Sequence, residues 1–228
     1  MDHFQYIYKS RAADYHTMIA AEDADGNLLK TIEAVTPLAG KRVLDLGTGT
    51  GRLPLLLAGR VKSLVGLDLH RAMLVENKRL KTGDWRLVQA DMRDLPFPDA
   101  YADVVTAGWA IGHLRGWFPD DWQGQIGRVL SEMERVVAPG GVLIILETLS
   151  TGALVPTPPT PALAEYYVWL ESEWGYERRV IRTDYQFASV AEAVAKTEFF
   201  FGAELAEQIR ANGWARLPEW TGVWSRWR

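Results

Sequence analysis

Short apolar runs alternate with longer amphipathic stretches through the middle of this 228-residue chain. Val43, Leu44 and Leu46 form a compact apolar run, as a parallel strand covered on both faces does. Lys62 to Leu67, Trp85 to Ala90, Ala102 to Ala107 and Val142 to Glu147 repeat the pattern. Between them Leu53 to Ala58, His70 to Leu80 and about Gln123 to Val137 carry helical spacing, and Pro139, Gly140 and Gly141 stop the last of these. Strands alternating with helices at this pace predict an α/β fold: a doubly wound, mostly parallel sheet with right-handed crossovers and helices on both faces.

The flanks follow other rules. Residues 1–22 are aromatic-rich and amphipathic, with a helix expected over Arg11 to Ala20; the arm either pads the flank of the sheet or acts as a lid. Leu28, Leu29, Ile32 and Val35 recur at helical spacing until Pro37. Four prolines between 151 and 161 break the rhythm as a rigid loop. A helix is expected from Ala162 to Trp174 and a strand from Arg178 to Phe187. Helices follow over about Val190 to Phe199 and Gly202 to Asn212, and Trp220 to Trp227 closes the chain as a last strand. The organisation expected is one domain over 1–228: an N-terminal lid and helix (1–38), a cofactor-binding core (40–150), an acceptor-site cap with helical and aromatic character (151–217) and the last strand (218–228).

Composition narrows the function classes. A formal charge of −4 without a basic cluster gives no footing for nucleic acid. The absence of cysteine excludes disulfides, thiolate metal sites and cysteine nucleophiles, and four scattered histidines offer no metal site. No leader pattern and no apolar run long enough to cross a bilayer is present, so a cytoplasmic protein without a membrane partner is expected. Ten tryptophans exceed what the sheet requires, and several fall outside it.

The chemistry concentrates in VLDLGTGTG, Val43 to Gly51. Asp45 is costly to bury without a partner, so it belongs at the carboxyl end of the first strand, facing a ligand or backbone donors. Gly47, Gly49 and Gly51 let the main chain turn and approach a ligand without a Cβ in the way. Asp68 ends the second strand and Asp91 follows the third, so three acids converge on one crevice at the carboxyl edge of the sheet. Each alone is also suited to capping the next helix. Asp68 can accept both ribose hydroxyls of a nucleoside and Asp91 an exocyclic adenine amine. Leu69, Met73 and Met92 would flank the base, unless the methionines are core filling.

A dinucleotide fingerprint requires glycine at 52, where the chain has Arg52. The observed GxGxG with an acid two residues before it resembles the class I S-adenosylmethionine-dependent methyltransferases. The resemblance spans roughly residues 40–150 and rests on VLDLGTGTG, GLDLH, QADMRDLPF, ADVVTAGWAIGHL and RVVAPGGVLIILE in that order. It implies a seven-stranded sheet whose last strand is antiparallel, and S-adenosyl-L-methionine as cofactor with S-adenosyl-L-homocysteine as product. It places Gly47, Thr48, Gly49 and Gly51 at the amino acid end, Asp68 at the ribose, Asp91 at the adenine amine, and Ala107 to Trp109 beside the methionine portion, with Tyr15 of the arm joining the cofactor site.

Methyl transfer to O, N or C is an in-line displacement that asks the protein mainly for alignment and exclusion of water. An acceptor proton that does not leave easily needs a base, and His113, just past the fourth strand, is the best-placed candidate; a helix-terminal histidine with a local hydrogen bond is the alternative. Tyr6, Trp109, Trp117, Tyr166 and Tyr167 are candidates to line a pocket for a small, partly apolar or aromatic acceptor, or to pack the cap. The expected partner is that small molecule, in a monomer or homodimer. A non-catalytic S-adenosylmethionine binder or an NAD-dependent oxidoreductase are the other readings.

Overall fold

The computed structural model describes residues 2–228. The core elements are β1 (Arg42–Leu46), α4 (Arg52–Leu57), β2 (Ser63–Asp68), α5 (Arg71–Leu80), β3 (Arg86–Gln89), β4 (Ala102–Gly108), α6 (Gly112–Trp117), α7 (Trp122–Val136) and β5 (Val137–Thr151). Before them stand α1 (His3–Ser10), α2 (Ala12–Ile19) and α3 (Asn27–Val35). After them come α8 (Pro161–Ser172), β6 (Glu177–Arg182), β7 (Tyr185–Gln186), α9 (Val190–Phe201), α10 (Ala203–Asn212), β8 (Arg216–Leu217) and β9 (Glu219–Trp227).

Seven strands form one sheet in the order β3-β2-β1-β4-β5-β9-β6. All pairings are parallel except those of β9, which runs antiparallel to both β5 and β6. The strand order reverses between β1 and β4, which puts a crevice beyond their carboxyl ends. The expected fold class is what the chain adopts.

Alternation along the strands divides the core in two. Leu44, Leu46, Val105, Ala107, Leu143 and Ile145 face α7 and α8, while Val43, Leu64, Val104, Val142 and Ile144 face α3 and α4. Asp45, Gly66 and Thr106 share that second face in register across three strands. Gly66 leaves room for the Thr48 side chain, since a Cβ there would meet Thr48 Oγ1 at 2.6 Å.

Three local expectations differ from the structure and one segment left without an element, 109–122, gains a helix, each through a partner distant in sequence or an unread cap. The arm is two helices rather than one: Asp2 accepts from the Phe4 amide at 3.0 Å and starts α1, and Arg11 leaves helical geometry before α2. Residues 109–122 contain α6, whose Gly112 amide donates to Glu147 at 2.8 Å. Strand 178–187 divides into β6 and β7 at Asp184, a buried carboxylate held by Arg182, Arg216 and the Glu219 amide. Val137 already pairs with Ala102, so β5 starts before the Pro139–Gly141 turn, which bulges out of the ladder.

Trp224 lies in the antiparallel β9, fully buried, against Tyr167 at 4.7 Å between ring centres. Replacing Trp224 with alanine is expected to cost about 3–5 kcal/mol of stability, read as a lower midpoint in denaturant titration with the cavity-lining residues untouched.

Candidate active site

Beyond the carboxyl ends of β1, β2 and β4 lies a cavity of about 640 Å³. Its floor is the glycine turn. Gly47 and Gly49 take φ +64° and +54°, which keeps side chains off the main chain facing the cavity, and a Cβ on Gly47 would meet Ala110 Cβ at 2.4 Å. Gly51, at φ +104°, does not line the cavity; it lies against Asn77, whose Nδ2 donates to Gly49 O at 3.0 Å.

Asp68 holds this floor in place. One carboxylate oxygen accepts from the Gly49 amide at 2.9 Å and the other from the His70 amide at 2.7 Å, and the side chain still borders the cavity. Leu69, Met73, Asp91 and Met92 line the same end. The Met73 and Met92 methyl groups lie over Gly49 and Gly47. Asp91 is clamped by Arg93 through its side chain at 2.6 Å and its amide at 2.9 Å, and the guanidinium holds the carboxyl below its ordinary range. The structure thus brings Asp68 and Asp91 to one cavity.

Asp45 stands deeper. It accepts the Thr106 hydroxyl at 2.7 Å, and burial pushes its carboxyl up to about 7. It lines a second, smaller pocket of about 20 Å³ together with Thr48, Arg52 and Leu53; Tyr15, Gly47, Gly49, Gly108 and Trp109 border both spaces. Ala107 is fully buried beneath, and Gly108 to Ala110 rather than Ala107 present the surface there. Trp109 has φ +50°, uncommon for a residue with a Cβ, and its amide donates to Leu146 O at 2.7 Å.

The opposite end of the large cavity is aromatic. Tyr8 on α1 and His113 on α6 meet at 2.8 Å between the hydroxyl and Nε2. Trp117 stacks on the His113 ring with centroids 5.1 Å apart, and its Nε1 donates to Asp2 at 3.2 Å. Burial lowers the His113 pKa to about 4, so the imidazole is neutral at neutral pH, and burial raises the Tyr8 hydroxyl well above its ordinary value. Gln5, Tyr8, Lys9 and Tyr15 of the arm all line the cavity, and His16 adds a contact to Thr50 at 3.1 Å.

Three expected acceptor residues lie elsewhere. Tyr6 is 52% exposed on the outer side of α1. Tyr166 and Tyr167 are buried between α8 and the sheet, where Tyr167 donates to Thr148 O at 2.8 Å. Helical spacing puts them on the core side of α8, and that side faces the sheet rather than its carboxyl edge. No residue of 151–217 borders either space; α9 instead backs the arm through Phe199 and Phe200. Conversely, Gln5, Lys9, Gln89, Ala110 and Leu114 line the cavity without being foreseen. The period of α6 was the one available signal, since it turns His113, Leu114 and Trp117 to one side.

Residues 44–145 match a family profile described as a methyltransferase domain. Curated relatives include the demethylmenaquinone methyltransferases of Clavibacter sepedonicus, 34% identical over 60% of this chain and 50% of that one, and Thermus thermophilus, 34% identical over 60% and 58%. The ubiquinone/menaquinone biosynthesis C-methyltransferase UbiE of Vibrio vulnificus is 32% identical over 58% and 55%. The chain thus spans about half the length of the curated relatives it matches. Among solved structures, the YcgJ protein of Bacillus subtilis superposes with a TM-score of 0.58 at 20% identity over 89% of this chain and 97% of that one. A SAM-dependent methyltransferase of Aquifex aeolicus gives 0.57 at 16% identity over 99% and 98%. Residues 44–145 are thus similar to a methyltransferase domain, and the fold is the Rossmann-like one that the chain shares with these solved structures.

Glu147 supplies a pH test of the cavity wall. Burial raises its carboxyl to about 8 from an ordinary value of 4.5 while it caps α6 through the Gly112 amide. Between about pH 4.5 and 8 the folded chain keeps a proton that the unfolded chain has released, so this group lowers stability as pH rises through that window. Glu147→Gln keeps an acceptor for Gly112 and removes the titration. Its melting temperature is expected to gain on the wild type progressively from pH 5 to about 8 and to hold that gain above it.

Proposed function

We propose that the chain is an S-adenosylmethionine-dependent methyltransferase that moves a methyl group by in-line displacement to an O, N or C atom of a small, partly apolar or aromatic acceptor. One observation carries the reading. A single cavity of about 640 Å³ has two acids and a bare glycine turn at one end and Tyr8, His113, Trp117 and Phe118 at the other. That volume suits a nucleoside cofactor and a small acceptor side by side.

The residues at the first end fit the cofactor. Asp68 takes the ribose hydroxyls with acceptor capacity left beyond its two backbone bonds. Asp91, fixed by Arg93, takes the adenine amine, and Leu69, Met73 and Met92 enclose the base. Asp45, Thr48 and the glycine turn receive the amino acid end, with Tyr15 closing over it. Bound there, S-adenosylmethionine supplies a methyl group already activated on a sulfonium.

The protein's own work is then at the aromatic end. Trp109, Trp117 and Phe118 hold an apolar ring and keep water from the transfer line. His113, kept neutral by burial and therefore a weak base, takes up the proton that the acceptor sheds once methylated, when it is cationic and strongly acidic, and Tyr8 orients the ring through its hydrogen bond to Nε2. The names of the curated relatives, demethylmenaquinone methyltransferase and ubiquinone/menaquinone biosynthesis C-methyltransferase, are consistent with a quinol-like acceptor. The arm 1–38 serves as the lid, and 151–217 acts as its support. A small-molecule partner, a monomeric or homodimeric state and a cytoplasmic location complete the proposal; among the described residues no helix is long and apolar enough to cross a membrane.

Calorimetric titration with S-adenosylmethionine, S-adenosylhomocysteine and NAD is expected to show binding of the two sulfur nucleosides alone; NAD binding would move the chain to the oxidoreductases. Asp68→Ala is expected to weaken S-adenosylhomocysteine about 100-fold through loss of two charge-assisted hydrogen bonds. His113→Ala is expected to leave cofactor affinity intact and lower turnover about 100-fold. Unchanged turnover would leave His113 a packing residue and the chain without a dedicated base.

A further inference from the structure

The wall of the large cavity has a charge opposite in sign to that of the whole chain. The sequence has 29 acidic and 25 basic side chains and a formal charge of −4. Yet the cavity is bordered by three permanent cations, Lys9, Arg71 and Arg93, against two carboxylates, Asp68 and Asp91. Both carboxylates are engaged already: Arg93 binds Asp91 at 2.6 Å, and Asp68 accepts the Gly49 and His70 amides at 2.9 and 2.7 Å. Lys9 and Arg71 enter no ion pair among the described residues. The acids at the two arm helices are committed as well, since Asp2 caps α1 and accepts from Trp117 Nε1, and Asp14 pairs with Arg11 at 2.8 Å.

The fold brings the two unmatched cations to one place. Gln5 and Lys9 lie one helical turn apart on α1 and share its cavity side, and Arg71 is the first residue of α5. Their chain neighbours Tyr8 and His70 touch, with ring centres 5.8 Å apart. Lys9 and Arg71 are exposed while they border the cavity, which puts them at its mouth. Tyr8 links that mouth to the aromatic end, because its hydroxyl meets His113 at 2.8 Å.

A mouth with two cations and no internal anion to match them favours an anionic ligand, both in drawing it in and in holding it. S-adenosylmethionine does not supply the balance, since its sulfonium adds positive charge. The neutral ring of a quinol leaves both cations unmatched. A carboxylate suits them, because its two oxygens fit the fork of a guanidinium and also accept from an ammonium.

We infer that the acceptor is an aromatic acid, whose carboxylate binds Lys9 and Arg71 at the cavity mouth while its ring lies inward against Trp117. The inference rests on the S-adenosylmethionine reading and narrows its acceptor. Lys9 and Arg71 determine specificity and take no part in the transfer, and Gln5 offers a further donor beside Lys9.

A matched pair of probes tests it: 2,5-dihydroxybenzoate, a quinol ring bearing a carboxylate, and its neutral isostere 2,5-dihydroxybenzamide. Titrated at neutral pH into the full chain saturated with S-adenosylhomocysteine, the acid is expected to bind about 10-fold more tightly than the amide. Raising salt from about 0.05 to 0.5 M is expected to remove most of that difference. Lys9→Gln and Arg71→Gln, which change exposed side chains, are each expected to lower the preference about 3-fold and together to abolish it, with the affinities for the amide and for S-adenosylhomocysteine unchanged. Equal binding of acid and amide by the wild type, no binding of the acid at millimolar concentration, or a preference that survives in the double variant would overturn the inference. A loss of S-adenosylhomocysteine affinity in the variants would also overturn it, by assigning the two cations to the cofactor. Failure of S-adenosylhomocysteine to bind the wild type would instead overturn the cofactor reading, and this inference with it.

Discussion

Two backbone hydrogen bonds to one carboxylate set the geometry on which the site depends. Asp68 at the end of β2 accepts the Gly49 amide with one oxygen and the His70 amide with the other. It therefore fixes a turn in which glycine alternates with threonine, Gly47 to Gly51, to the strand beside it, and glycine is the backbone with the most conformational freedom to lose. Asn77 secures the same turn from α5 by donating to Gly49 O, and its own oxygen accepts from Trp85 Nε1 at 2.9 Å. A floor that turns only glycines to the cavity is thus held by side chains from β2, from α5 and from Trp85 just before β3.

The walls are built on the opposite principle. They are aromatic, come from α1, α6 and the end of β4, and meet through single polar contacts: Tyr8 to His113, Trp117 to Asp2, His16 to Thr50. Each such contact is worth about 1 kcal/mol, far less than burial of the rings themselves. The rings give the enclosure its strength, and the polar contacts fix how they are oriented. Glu147 joins the two levels, since it caps α6 from within the central strand β5.

The core of this organisation was legible in the residues. Period-two and period-3.6 patterns located β1 to β4 and the helices between them, because those elements are decided by local alternation and by Gly and Pro at their ends. The convergence of Asp68 and Asp91 followed from strand order alone. What escaped was decided by distant partners. The cap of α6 is Glu147, 35 residues further on, and the break between β6 and β7 is organised by Asp184 with Arg216 and Glu219. Tyr166 and Tyr167 have the composition of a ligand pocket, but the side of the sheet on which α8 lands is a topological fact that a single helix pattern does not carry. Asp45 was placed at the right strand end, whereas its bond to Thr106 required the β1–β4 register.

The arm has a consequence for how such a protein diversifies. Four of the residues bordering the large cavity come from positions 5 to 15, a stretch outside the sheet whose backbone is self-contained in two short helices. Changes there alter the size and polarity of the enclosure without disturbing a single strand pairing. The arm is thus the segment in which a library of variants reshapes the enclosure most freely, the glycine floor remaining constant beneath it.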